Sequence, residues 1–217
     1  MLKIAILTLA LPLLAALLFY AKKESIRGLL LTKPFLSALF VMTALVGPHM
    51  NPKYFVLVLA GLLLCVAGDV FLIFFSSKKL FLAGLVSFLA AHVLYSVAFF
   101  SMASPKTLAL IVAALCLVVS GSVFAWLKPR LGGMLVPVVA YMIIITIMVI
   151  GAASLTENEH LSLTGRTLAI SGAILFYVSD IFVARHRFVK KEYVNRLAGL
   201  PLYYAGQFMI AYSTVLL

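Results

Sequence analysis

The sequence predicts an all-α integral membrane protein, a bundle of about eight transmembrane helices with both termini on the non-cytoplasmic side. Three observations carry that prediction. Hydrophobic residues fill 65% of the 217 positions and charged residues only 11%, against roughly 45–50% and about 25% in a soluble domain. The apolar residues fall into successive runs near the roughly 20 residues that cross a bilayer. The basic residues gather in alternate connections between those runs. With a mean hydropathy of +1.21, a soluble fold could not hide this much apolar surface, and lipid must be the solvent for most of it.

The elements follow in order. Ile4–Tyr20 is the first apolar run, closed by Lys22, Lys23, Glu24 and Arg27. Pro34–Val46 is the second, between the dipeptides Lys33-Pro34 and Gly47-Pro48. Asn51-Pro52 then opens Lys53–Phe75, and Ser76-Ser77-Lys78-Lys79 separates it from Leu80–Ser101. Pro105, placed where a first helical turn tolerates proline, begins Pro105–Leu127. Lys128-Pro129-Arg130 and Gly132-Gly133 break the chain before Met134–Ser154. A polar stretch, Thr156–Thr164, leads to Gly165–Ala184, and the basic loop Arg185–Arg196 precedes Gly199–Leu216. No soluble linker, low-complexity tract or internal repeat interrupts residues 1–217, which read as one helical domain. Cys65 and Cys116 lie within apolar runs and read as small core residues.

A net charge of +11 raises the question of nucleic acid, but its distribution answers in favour of topology. The odd-numbered loops hold Lys22, Lys23, Arg27, Lys33, Lys78, Lys79, Lys128, Arg130, Arg185, Arg187, Lys190, Lys191 and Arg196, thirteen of the 17 basic residues. The other side keeps Lys3, Lys53, Lys106 and Arg166. That asymmetry places the odd loops in the cytoplasm, where they would rest on anionic lipid headgroups. No nucleic-acid partner is expected. The first run carries its main positive charge after the apolar core rather than before it, the pattern of an anchor that stays in the mature protein. The bias suits a bacterial inner membrane.

Ionisable groups within hydrocarbon are costly and usually face a cavity or a partner. Of six acidic residues, only Asp69 and Asp180 fall inside the runs. Each lies toward the cytoplasmic end of its helix, so the two carboxylates share a depth. They read as helix-to-helix glue, with Lys33 or Arg185 as partners, or as a site. His92 is near mid-membrane with Tyr95 one turn away. Its bland role is a satisfied core donor; its functional role is catalytic. Tyr203 and Gln207, spaced i, i+4, share a face of the last helix, where a tyrosine also suits the interfacial aromatic belt. Lys33 opens the second helix, where it could snorkel to the interface or hold a phosphate oxygen. Lys33, Asp69, Asp180, Tyr203 and Gln207 thus converge on one end of the bundle. Neither HxxxH nor HExxH spacing occurs, so no metal site is expected.

Lys33-Pro34, Gly68-Asp69-Val70-Phe71-Leu72, Gly84 through Tyr95, Ser179-Asp180 and Tyr203-Tyr204-Ala205-Gly206-Gln207 together resemble the YhhN-like lysoplasmalogenase family of eight-helix membrane proteins. The likeness runs from the second helix to the last. It implies hydrolysis of the vinyl-ether bond of lysoplasmalogens to a fatty aldehyde and a glycerophosphodiester. The family is distantly similar to alkaline ceramidases, which use zinc, but the histidine set for a metal is absent here. No cofactor is expected. The substrate would be a lysophospholipid that reaches the site sideways from the bilayer.

The chemistry of that bond fits the residues. Protonation of the alkenyl carbon gives an oxocarbenium ion, which water attacks, as at two-carboxylate glycosidase sites. Asp69 and Asp180 are the expected acid and base, their order open. His92, Tyr95, Ser179, Tyr203 and Gln207 are expected to support them or bind substrate, and Lys33 to hold the phosphate. Asp69→Asn or Asp180→Asn is expected to abolish turnover without unfolding the protein. The alternative is a small transporter or lipid-binding protein using the same aspartates for proton coupling or ligand binding; a scaffold held by them is a third reading.

Overall fold

The computed structural model describes residues 2–104 and 107–217, and the described residues are helical throughout, joined by short turns. Helix α1 is Leu2–Lys22, α2 Ile26–Leu45, α3 Pro52–Phe71, α4 Lys78–Phe100, α5 Thr107–Leu131, α6 Leu135–Thr156, α7 Leu163–Ala184 and α8 Tyr193–Ser213. Among the described residues, six stretches are long and apolar enough to cross a membrane: Ile4–Lys22, Ile26–Leu45, Pro52–Phe74, Lys78–Phe100, Thr107–Thr156 and Leu163–Val189. The fifth is 50 residues long and contains both α5 and α6. The more polar α8 is not among them.

Local chemistry explains the helix starts. Ser25, Asn51, Ser77 and Ser162 each accept a hydrogen bond from the backbone N–H three residues on, capping α2, α3, α4 and α7. The Ser25 cap corrects one expectation. The second helix begins at Ile26, so Lys33-Pro34 lies within it, and Lys33 is a buried helix residue rather than a loop residue. Proline is tolerated there because packed neighbours support the backbone of a membrane helix. The proposed start of α5 at Pro105 lies outside the described residues. Its far end passes through Pro129 to Leu131. The loop expected over 185–196 is mostly helical too: Arg185–Val189 forms a π-helical turn, and α8 starts at Tyr193 rather than residue 199.

Between α5 and α6, Gly132 adopts a positive φ of 48°, a backbone that glycine reaches without strain. The pair folds back on itself, with Ser120 and Thr146 hydroxyls 2.9 Å apart. Glu157 closes the hairpin by accepting from the Leu108 N–H at 2.9 Å and the Ala109 N–H at 3.3 Å. Those are orphan donors at the start of α5, satisfied by a carboxylate that also suits the positive end of the helix dipole.

The helices pack as a closed ring, α2–α3–α4–α6–α7–α8 and back to α2, with α1 laid against α2 and α8, and α5 against α6. Lining the interior are Phe40, Tyr54, Leu62, Tyr95, Phe99 and Phe176, all essentially inaccessible. Cys65 and Cys116 are buried free thiols. One end of the ring is tied by basic side chains. Lys191 donates to Glu24 at 2.7 Å, and that hydrogen bond holds the Glu24 carboxyl below its ordinary value. Arg187 donates to the Phe75 carbonyl at 2.6 Å. These contacts join the α1–α2, α3–α4 and α7–α8 connections at the same end.

Helices α7 and α8 approach closely at glycine. A Cβ on Gly172 would lie 2.8 Å from the Gly206 carbonyl oxygen, and one on Gly206 would lie 2.8 Å from that of Gly172. Small residues at membrane helix interfaces allow this contact. Gly172→Leu is expected to force α8 off α7 and lower the melting temperature in detergent, by the equivalent of about 1–3 kcal/mol. Gly121→Ala, where an added Cβ meets nothing within 4 Å, is expected to leave melting unchanged. Equal melting of both variants would refute the close contact.

Candidate functional site

The polar residues that do not belong in lipid form two linked clusters around one cavity. The first centres on Asp69 of α3, which is 1% exposed. Lys33 Nζ of α2 lies 2.9 Å from its Oδ1 and also donates to the Asp69 backbone carbonyl at 3.2 Å. Ser37 Oγ and Tyr203 OH donate to Oδ2 at 2.6 and 2.7 Å. Every partner of the side chain is therefore a donor, one of them a cation, and three helices are pinned to one carboxylate. Behind it, Gln207 Nε2 donates to Tyr203 OH at 3.3 Å, and Tyr95 OH donates to Gln207 Oε1 at 3.1 Å. The i, i+4 spacing of Tyr203 and Gln207 thus produces the expected contact. Tyr204 OH lies 3.1 Å from Ser37 Oγ, closing the network on α2.

The second cluster centres on Asp180 of α7. Tyr141 OH of α6 donates to its Oδ2 at 2.6 Å, and His92 Nε2 lies 2.8 Å from the same hydroxyl. His92 is fully buried, with Nδ1 3.2 Å from Met148 Sδ and its ring edge-on to Phe176 at 4.5 Å. Unlike Asp69, the Asp180 side chain keeps 20% exposure.

A cavity of about 90 Å³ joins the clusters, with Lys33, Asp69, Ser179, Asp180 and Tyr203 all in its wall. It has room for a few water molecules. Its wall also holds residues of the basic end, including His186, Asn195 and Arg196. A second, more apolar cavity of about 80 Å³ lies between α4, α5, α6 and α7, lined by Leu85, Leu127, Val138 and Ile145 among others. Asp180, Phe88 and Leu72 border both. Phe88, Phe176 and Tyr203 stand edge-on to one another at 5.1–6.0 Å, an aromatic cluster beside the cavity.

The predicted residues therefore divide. Four of the five expected to converge line one cavity; Gln207 stands behind Tyr203 as a support. His92 serves Asp180, whereas Tyr95, one turn along, serves Gln207. Ser179 spends its hydroxyl on the Phe176 carbonyl of its own helix at 2.7 Å. Lys33 is the partner of Asp69, as one reading of the sequence allowed, but Arg185 bonds Glu192 and Asn195 rather than Asp180. Ser37 and Tyr141 were missed. Ser37 is one turn from Lys33 on the same face, and Tyr141 is a lone polar ring in the very apolar α6, so both had a readable signal. Met148, Phe88 and Phe176 had none. Among the described residues, no three of His, Cys, Asp and Glu group to hold a metal ion.

Fold and site together define a multi-pass integral membrane protein with a polar cavity inside its helical bundle. The chain matches the YhhN family model over residues 28–214, and it belongs to that family. It is 30% identical over 164 residues to the lysoplasmalogenase TMEM86A of Bos taurus, and 29% identical over 164 residues to that of Homo sapiens. Each match covers 73% of this chain and 65% of the relative, so the chain aligns with just under two thirds of these proteins' length. No solved structure matches it.

The geometry revises the expected outcome for Asp69→Asn. Removing one partner of a buried ion pair strands the other charge, at about 3–5 kcal/mol. Asp69→Asn is expected to lower the melting temperature markedly, and adding Lys33→Met to recover much of the loss. Asp180→Asn, with a partly exposed side chain, a hydrogen bond from Tyr141 and only His92 Nε2, at 3.8 Å, as a potential cation, is expected to melt close to the parent. Thermal unfolding in detergent separates these outcomes. Similar melting of Asp69→Asn and the parent would show that the pair carries little stability.

Proposed function

We propose that the protein is a lysoplasmalogenase-like membrane hydrolase that cleaves the vinyl-ether bond of a lysophospholipid to a fatty aldehyde and a glycerophosphodiester. The observation that carries this reading is the position of Asp180, on the border between a cavity with Lys33, His186 and Arg196 in its wall and an apolar one. A single-chain ether lipid has that division: a phosphate head, an apolar chain and a reactive bond between them. With the head in the first cavity and the chain in the second, the bond lies at Asp180. The names of the relatives at 30% and 29% identity agree.

Asp180 acts as proton donor and acceptor. Its proton passes to the alkenyl carbon remote from the ether oxygen, leaving an oxocarbenium ion and an Asp180 carboxylate. Water adds to the carbon bearing the oxygen and gives its proton to that carboxylate. The hemiacetal then collapses as its hydroxyl loses a proton and the glycerol oxygen gains one, releasing aldehyde and alcohol. The Tyr141–His92 chain suits both states of Asp180. When the acid is protonated, it donates to Tyr141, Tyr141 to His92 Nε2, and His92 Nδ1–H to Met148; when it is ionised, Tyr141 donates to Asp180 and accepts from the Nε2–H tautomer of His92, whose Nδ1 then has no proton for Met148. Asp69, held by Lys33, Ser37 and Tyr203, faces the cavity as the fixed anion beside the developing cation. No metal takes part.

The same reading sets the topology. Helices α1 to α8 each cross the membrane once, with the basic end in the cytoplasm against anionic headgroups and both termini outside. The charge asymmetry suits a bacterial inner membrane, and the lipid reaches the site laterally between helices.

Purified protein is expected to release aldehyde from a lysoplasmalogen in detergent, without any gradient, and to keep doing so with a chelator present. Asp180→Asn is expected to lose about 10²–10⁴-fold, the usual contribution of a general acid–base group. Proton or solute flux in proteoliposomes, without aldehyde release from well-folded protein, would favour the transporter instead.

A further inference from the structure

The cation first expected to hold the substrate phosphate is already engaged: Lys33 Nζ lies against Asp69 Oδ1 at 2.9 Å and donates to the Asp69 carbonyl. The wall of the same cavity holds two groups that are not engaged in this way. Arg196 lines it, with one long hydrogen bond from Nη1 to the Ala21 carbonyl at 3.5 Å. No ion pair among the described residues joins Arg196 to a carboxylate, because Glu24 is taken by Lys191 and Glu192 by Arg185 and Lys190. Glu24 acts on this half-buried guanidinium through space but forms no ion pair with it, so the guanidinium has donors to offer a phosphate oxygen.

His186 supplies the second group. It is 7% exposed and lines the cavity, with its ring edge-on to Phe75 at 5.2 Å. Its Nδ1 sits 3.1 Å from the Glu192 carbonyl oxygen, which can only accept, so Nδ1 carries the proton. Nε2 of the neutral ring is then a lone-pair acceptor. It is buried and has no hydrogen-bond partner among the described residues. A buried acceptor without a donor is unfavourable, and a hydroxyl group brought by a ligand would satisfy it.

We propose that Arg196 and His186 form the glycerophosphate subsite, Arg196 binding the phosphate and His186 Nε2 accepting a hydrogen bond from the free hydroxyl of the glycerol. This rests on the function proposed above and adds how the site selects a single-chain lipid. In a two-chain lipid that hydroxyl is esterified and has no proton to donate. A site built to bond a hydroxyl discriminates strongly against an analogue that lacks one, because its own polar group stays unpaired. His186 is thus a specificity-determining residue that takes no part in bond cleavage.

The test measures binding, so it does not depend on turnover. Titrate the purified protein in detergent with a saturated alkyl-ether lysophospholipid, which cannot be hydrolysed at a vinyl ether, and with its analogue methylated on the free hydroxyl. The parent is expected to prefer the free hydroxyl by at least about tenfold. His186→Leu is expected to bind both alike, and His186→Gln, which retains an acceptor oxygen, to recover part of the preference. Arg196→Gln is expected to weaken both phospholipids about tenfold or more while leaving binding of the phosphate-free alkylglycerol unchanged. Melting curves confirm that each variant is folded. A parent with no preference, a preference that survives in His186→Leu, or an Arg196→Gln variant that binds like the parent would overturn the assignment. Hydroxyl preference in a protein that releases no aldehyde from the vinyl-ether lipid would sink the hydrolase while leaving the subsite standing.

Discussion

The ion pair between Lys33 and Asp69 is the constraint on which much of the interior depends. An ammonium and a carboxylate are both removed from water here, and neither is tolerable without the other. Lys33 alone would not fix the geometry, since a flexible ammonium can follow its partner. Asp69 does so, by accepting from Lys33, Ser37 and Tyr203 across α2, α3 and α8. Tyr203 can reach it because α8 sits deep in the ring, and α8 sits deep because Gly172 and Gly206 let two backbones meet. Packing and electrostatics therefore specify the same helix register. That agreement is the mark of a sequence with one preferred arrangement.

Asp180 is treated differently within the same bundle. Its hydrogen bond from Tyr141 is flexible in direction, since the hydroxyl can donate or accept, and no lysine or arginine pairs with it among the described residues. Asp69 is surrounded by donors and is suited to hold a charge. Asp180 is joined to a chain of groups that can exchange a proton and is suited to move one. Two aspartates at similar depth in the sequence thus acquire opposite characters from their neighbours. This is the arrangement by which paired carboxyl groups divide acid and anion roles at other hydrolytic sites.

The fold class was legible because lipid imposes length and composition on every element, and those are properties of consecutive residues. The candidate residues were legible because an aspartate, histidine or glutamine in hydrocarbon stands out against its background. Boundaries were less so. Pro34 and Pro129 read as punctuation, yet both sit within helices, Pro34 among packed neighbours and Pro129 exposed in the last turn of α5. Partnership was the hardest to read. His92 and Tyr95 share a helix face, yet one reaches α6 and the other α8, because neighbouring positions on a helix diverge toward different helices of a ring. That Arg185 would turn to Glu192 and Asn195 instead of Asp180 depended on the π-helical turn at its end. The sequence carries no mark of that turn.

On the proposed function, the two cavities give a reason for placing such chemistry inside a membrane protein. Pyrolytic or strongly acidic conditions are not needed to break a vinyl ether; what is needed is a proton donor next to a carbon that lies within the chain region of a lipid. A soluble enzyme must first lift that carbon out of the bilayer, exposing the chain to water at about 0.8 kcal/mol for every CH₂. A site bordered by Leu85, Val138 and Ile145 on one side and by Arg196 and His186 on the other leaves the chain in an apolar setting throughout. On the proposed reading, the aldehyde then returns to lipid and the glycerophosphodiester leaves past Arg196 and His186. Asp180 and Phe88 border both cavities, so on that reading the carboxyl group sits where the two environments meet.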